Sequence, residues 1–250
     1  ADDAAGLAVS GSMNAKLRGL NVARRNANDA ISMIQVAEGS MNEMSNITVR
    51  MRELTVQAAS DTIGDTERGY LNREYVQLVD EFDRIAKTTE FNGTMLFDSG
   101  DQTEYVIQVG TNGSSPDENL DTIRVDLEGI QFSSDSIGLG KGSEIGPSET
   151  GGSGPTRNEI AEKLSTIDDA LTRIASERAT LGAVQSRMGS SINNLSINIE
   201  NLDTARSRIM DVDFASETAN LTQSRILVAA SASVLGQANS APEVALQLLR

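Results

Sequence analysis

The residues able to do chemistry are carboxylates, and they come as adjacent pairs: Asp2/Asp3, Asp80/Glu81 and Asp168/Asp169. Paired acids could hold a metal or divide general acid and base roles. Neighbours in a helix do not face each other, so each pair reads as part of a solvated face. The chain has no His and no Cys. A Ser-His-Asp or Cys-His triad, a thiolate metal site and a disulfide framework are therefore excluded within it. No H-E-x-x-H metalloprotease motif can be written, and no cofactor is implied. Asn-x-Ser/Thr sequons at Asn46, Asn92, Asn112, Asn194 and Asn220 read as incidental in a chain rich in these residues.

The formal net charge of −15 disfavours nucleic acid or an anionic membrane as a partner. No apolar run approaches the ~20 residues that cross a bilayer. Aromatics are only 3 % of the 250 residues, which suits long helices packed side by side better than a compact globule.

The elements follow from periodicity. Ile31, Ile34, Ala37, Met41, Met44, Thr48, Met51, Leu54 and Ala58 recur at three- and four-residue steps, and turn formers at 60–65 end that helix. Leu71, Tyr75, Leu78, Phe82 and Ile85 mark a second helix, with Asp65 or Thr66 as its expected N-cap. Thr103–Val109 and Asp121–Leu127 read as a β-hairpin with a long loop. Residues 133–154 are low in complexity and read as a surface loop or linker without a core of their own.

The strongest signal is an a/d pattern from Ile160 to Ile209, broken by charge only at Arg178 and Arg206. It predicts a helix roughly 75–80 Å long. The two arginines are expected to snorkel at the edge of the stripe. After Asp211–Asp213 comes a last amphipathic stretch, carried by Phe214, Leu221, Val228, Ala232 and Leu235, which Pro242 is expected to stop. Its apolar face has no partner within the chain. The fold class is mainly α: an elongated, coiled-coil-like bundle of long antiparallel helices with a small β-hairpin region.

Several segments carry a resemblance. Ala1–Ser10 (ADDAAGLAVS), Arg50–Ala58 (RMRELTVQA), Thr89–Gly93 (TEFNG), Leu181–Arg187 (LGAVQSR), Ala205–Ile209 (ARSRI), Asp211–Ala215 (DVDFA) and the ending Leu246–Arg250 (LQLLR) stand in the order of bacterial flagellin motifs. The chain resembles that family over nearly its whole length. Ser186 departs from its usual Asn, and the middle is too short for large outer domains.

The resemblance implies a secreted structural subunit that polymerises into the extracellular flagellar filament. It implies a rod domain over 1–210, comprising N-terminal helices 1–90, hairpin and loop 95–155 and long helix 157–210. Residues 211–250 would be the C-terminal half of an inner, filament-lining domain. Family members begin before the equivalent of Ala1, so this chain is expected to assemble poorly by itself.

Phe214, Leu221, Val228 and Leu235 are the implied assembly contacts, with sister subunits as partner and an export chaperone on the same helix before assembly. The family also implies recognition of the monomer by Toll-like receptor 5 through the positions matching Arg50, Leu54, Glu74, Ile167 and Leu171. Periodicity alone places Leu54, Ile167 and Leu171 in the bundle, but the R-x-R-E-L match reverses that for Leu54, which with Arg50 is expected to be a receptor contact. The hook–filament junction protein shares both ends of the pattern and is the alternative; the R-x-R-E-L-x-V-Q and L-G-A-V-Q segments favour flagellin.

Overall fold

A computed structural model describes residues 4–97, 104–111, 120–127, 132–140, 144–147, 154–211 and 213–248. Side chains are described as far as 239. Asp2, Asp3 and Asn112 lie outside the described residues, as do the side chains of the ending 240–250. Four helices dominate: α1 (Ala4–Ala58), α2 (Asp65–Thr88), α3 (Arg157–Met210) and α4 (Phe214–Leu248). Two small antiparallel ribbons lie between α2 and α3: β1 (Glu90–Phe91) with β2 (Thr94–Met95), and β3 (Glu104–Gln108) with β4 (Thr122–Asp126).

The chain forms two compact units. One comprises 15–200, the other 1–14 with 201–250. In the larger unit, side-chain pairs fix the helix directions. Ser40, Arg50 and Asp61 of the α1 side meet Thr89, Glu74 and Arg157 respectively, and Arg52 meets Asp168. Numbers rise along α1 as they fall along α2 and α3. Hence α1 runs antiparallel to both, and α2 runs parallel to α3. This is the bundle of long antiparallel helices that the heptads predict, with α3 about 81 Å long at 1.5 Å per residue.

The stripe residues form its core. Met41, Met44, Met51 and Leu54 from α1, Tyr75 and Phe82 from α2, and Ile160, Ile167, Ile174, Leu181 and Met188 from α3 are all buried. Unbranched Met fills the irregular space among three helices with few rings to offer. Arg178 is exposed and Arg206 is half-buried beside Asp203 at 2.8 Å, as snorkelling side chains should be.

The hairpin pairs in register from Glu104↔Asp126 to Gln108↔Thr122, and Val125 beneath it is buried. Period-two alternation explains this, since Ile123 and Val125 share one face while Arg124 pairs with Glu104 on the other. The β1–β2 ribbon is absent from the periodicity reading. Its turn is Asn92-Gly93, with φ of 51° and 77°, the left-handed pair that a two-residue hairpin needs.

Three sequence expectations are corrected. Asp65 is already the first residue of α2, so Gly64 occupies the cap position and no side chain caps it; Asp65 and Glu67 instead place negative charge on the positive helix end. Pro242 does not stop α4, whose backbone continues to Leu248. A proline removes one backbone bond and strains the preceding turn, but the bonds on both sides remain. Residues 133–154 are not merely a solvated linker: Ile137, Leu139 and Ile145 are buried, as is Phe132 just before them. Averaged composition hides this, because a few apolar side chains suffice to fill a groove that helices have already formed.

Candidate interaction surfaces

The first surface lies on the larger unit, where Arg50 of α1 faces α2. Its guanidinium donates to Glu53 at 2.8 Å and to Glu74 at 2.7–2.8 Å. Glu53 sits one turn on along α1, whereas Glu74 arrives from the neighbouring helix. The bond to Glu53, then that to Glu74, holds the Arg50 pKa above its ordinary value. Two residues along, Arg52 donates to Asp168 of α3 at 2.7 Å, which lowers the Asp168 carboxyl and raises Arg52. The R-x-R spacing thus sends one arginine to each neighbouring helix. All four of Arg50, Glu74, Arg52 and Asp168 are about half exposed, so these links contribute little to stability and much to surface pattern.

The five positions matched to receptor recognition separate here. Arg50 and Glu74 are brought together at the surface. Leu54 is 1 % exposed and Ile167 is fully buried. Leu171 is partly buried and packed against the core. Leu54 and Ile167 are therefore core side chains, because they continue the α1 and α3 stripes that face each other. A partner docking on this face meets the charged residues and not those two. Sequence reasoning passed over the role of Arg52 and took Asp168 only as half of an acidic pair. The available signal was the second arginine of R-x-R, whose partner lies 116 residues away and has no local signature.

The second surface is α4 in the smaller unit. Asp213 caps it, accepting from the backbone N–H groups of Ala215 and Ser216 at 3.0 and 3.3 Å. Phe214, Leu221, Val228 and Leu235 recur every seven residues, one stripe along about 32 Å of helix. Their exposures are 81, 50, 70 and 67 %. Ile226, Leu227 and Val234 beside them are also exposed, and every side chain from 219 to 239 is solvent-facing. Isolated surface leucines are ordinary, whereas this many exposed apolar side chains on one helix are not.

Among the described residues, no group of three or more acidic side chains converges as a metal site would require, and no helix is long and apolar enough to cross a membrane. The two long-helix regions match known sequence profiles: residues 1–102 match the bacterial flagellin N-terminal helical region, and 164–249 match its C-terminal helical region. A flagellin of Halalkalibacterium halodurans is 40 % identical over 249 residues, covering 100 % of this chain and 85 % of the relative.

The chain belongs to the bacterial flagellin family.

A flagellin of Bacillus subtilis is similarly close, 39 % identical over 264 aligned positions and 87 % of its length. The crystal structure of Bacillus cereus flagellin matches with a TM-score of 0.55 at 30 % identity, covering 68 % of this chain and 88 % of that one. A structure titled as a putative flagellar hook-associated protein from Vibrio parahaemolyticus matches with a TM-score of 0.65, but at 14 % identity it shows shared fold alone. As a flagellin, the chain is a structural subunit of the extracellular flagellar filament. Its family is one of structural proteins.

Proposed function

We propose that α4 supplies assembly contacts, with Phe214, Leu221, Val228 and Leu235 covered by sister subunits in the filament and by an export chaperone beforehand. The stripe of exposed apolar side chains along α4 is the observation that carries this reading. Leaving such a face in water forgoes about 25 cal/mol per Å² of apolar surface. Replacing Leu221, Val228 and Leu235 together by Asp should abolish filament formation by the full-length subunit in electron micrographs while leaving the fold of residues 15–200 intact by circular dichroism. Normal filaments from that variant would overturn the assignment. On this reading, residues 211–250 act as an inner, filament-lining segment and 1–210 as the rod.

The free subunit is also proposed to be recognised by Toll-like receptor 5 through the Arg50–Glu74 surface. An exposed arginine already flanked by two carboxylates is preoriented for charge-assisted bonds. Leu54, Ile167 and Leu171 then support the surface from beneath. Arg50→Ala should reduce receptor signalling in a reporter-cell assay by at least about tenfold, roughly 1.4 kcal/mol of binding, while its urea midpoint stays at the wild-type value. Leu54→Ala is a poor probe, because removing a buried leucine costs about 2–5 kcal/mol of stability whatever the receptor does. Wild-type signalling from Arg50→Ala would refute the proposal.

A further inference from the structure

The turn of the β1–β2 ribbon is an Asn-Gly step, Asn92-Gly93, and both residues are exposed. Asn-Gly is the dipeptide best able to react with itself. The Gly93 nitrogen attacks Asn92 Cγ and a new C–N bond forms. The Cγ–Nδ2 bond breaks, and the Gly93 amide proton leaves with Nδ2 as ammonia. The five-membered succinimide then adds water at either carbonyl, giving Asp or isoaspartate. No oxidant or reductant is needed. Glycine favours the attack because it has no Cβ to crowd the approach. A Cβ built on Gly93 would meet nothing within 4 Å, so the reacting groups are not walled off from solvent.

Backbone geometry holds them apart instead. Ring closure needs the Gly93 nitrogen on the same side of the Asn92 Cα–C bond as Cβ, since Cγ hangs from Cβ. Asn92 has φ 51° and Gly93 φ 77°, and Phe91 pairs with Thr94 around them. Those values belong to a type I′ turn, whose first central residue has ψ of about +30°. At that ψ an L residue sets the next nitrogen nearly opposite its own Cβ, where Cγ cannot reach it. A reactive pose needs almost half a revolution about the Cα–C bond. The closed Phe91–Thr94 pair does not permit that rotation.

Both arms of the ribbon are tied down. Before the turn, the Thr89 carbonyl accepts from the Leu96 N–H at 3.0 Å, and the Thr89 hydroxyl lies 3.1 Å from Ser40 Oγ of α1. After the turn, Leu96 and Phe97 are buried, and the Phe97 ring packs against Phe132. The Tyr105 hydroxyl of β3 donates to the Met95 carbonyl at 3.4 Å. Rotation at Asn92 therefore requires local unfolding of the ribbon. We propose that Asn92 is a deamidation site held shut by its own turn, converting only from the open form of the β1–β2 ribbon. The two products then part ways. Asp tolerates the left-handed region, so the turn re-forms around it. Isoaspartate carries one more backbone carbon, which a two-residue turn between Phe91 and Thr94 does not accommodate. Its formation releases the ribbon.

Asn92 conversion is measured by peptide-map mass spectrometry in the full chain and in the unstructured peptide Lys87–Phe97, at the same mildly alkaline pH. The full chain should convert at least about tenfold more slowly, the ratio being set by the fraction of open ribbon. Equal rates would overturn the proposal. Urea below the helical unfolding transition should raise Asn92 conversion and hydrogen exchange of the Leu96 amide by the same factor, once the peptide's own response to urea is divided out. Conversion that stays constant while Leu96 exchange accelerates would also overturn it, because the site would then react without opening. The Asn92→Asp variant should keep the parent's exchange at residues 94–97, whereas the isoaspartate form should exchange faster there. Parent-like exchange in the isoaspartate form would refute the release of the ribbon.

Discussion

Two helical regions with similar residue types meet opposite fates here. In residues 15–200, apolar side chains of α1, α2 and α3 share one interior and disappear from water. In α4, apolar side chains at equally regular spacing stay exposed throughout the described part of the helix. Hydrophobic periodicity therefore reports that a face needs a partner and says nothing about where the partner comes from. The larger unit satisfies its faces within one chain. On the proposed reading, α4 keeps its exposed apolar side chains for other molecules.

The sharpest contrast is energetic. Phe82→Ala empties a fully buried site on α2 and should cost about 3–5 kcal/mol in a urea titration of the monomer. Leu227→Ala in α4 removes a similarly apolar group and should change monomer stability by no more than about 0.5 kcal/mol. A large loss from Leu227→Ala would mean that α4 is covered within the free subunit, and the contrast would collapse.

A smaller effect sharpens the interior side. The Tyr75 ring is buried in the core, and its hydroxyl has no hydrogen-bond partner. Burial pushes its pKa up to about 12. An unpartnered buried hydroxyl forfeits its hydration, a cost of about 1–3 kcal/mol, so Tyr75→Phe should raise the urea midpoint. The pH dependence has a definite sign. The folded phenol titrates above its unfolded value near 10, so this stability is intact below about pH 10 and is lost as pH rises through about 12. Tyr75→Phe should remove that alkaline loss, which a pH series of thermal midpoints would record.

The smallest effect concerns surface charge. Asp168 is held low by its bond from Arg52, Glu81 by its bond from Arg84, and Glu159 by its bonds from Thr156. Depressed carboxyl pKa values contribute stability above the ordinary carboxylate range, and it is lost as pH falls through the folded values. Asp168→Asn should flatten the acid limb of the stability profile slightly and leave the neutral plateau nearly unchanged. A steep fall at neutral pH would show that the exposed link carries more than surface pattern.

Much of this was legible along the chain. The stripes of α1, α2 and α3, the β3–β4 hairpin and the breaks at 60–65 and 211–213 all follow from spacing, because each depends on neighbours three, four or two residues apart. Arg50 and Glu74 meet across two helices at the surface, whereas Leu54, expected from its motif to be a surface contact, lies in the core because it continues the α1 stripe. The β1–β2 ribbon was missed because two-residue strands carry no periodic signal, although Asn92-Gly93 gave the turn.

The sequence by itself determined helix content, apolar faces, a large negative charge and the impossibility of His- or Cys-based chemistry, since these are properties of residue type and local spacing. Only the tertiary structure decided that Arg52 reaches Asp168, that α2 runs parallel to α3, and that Phe132, Ile137, Leu139 and Ile145 are buried in the core. Those outcomes depend on groups distant in sequence arriving at one place, and no local pattern encodes the distance between them.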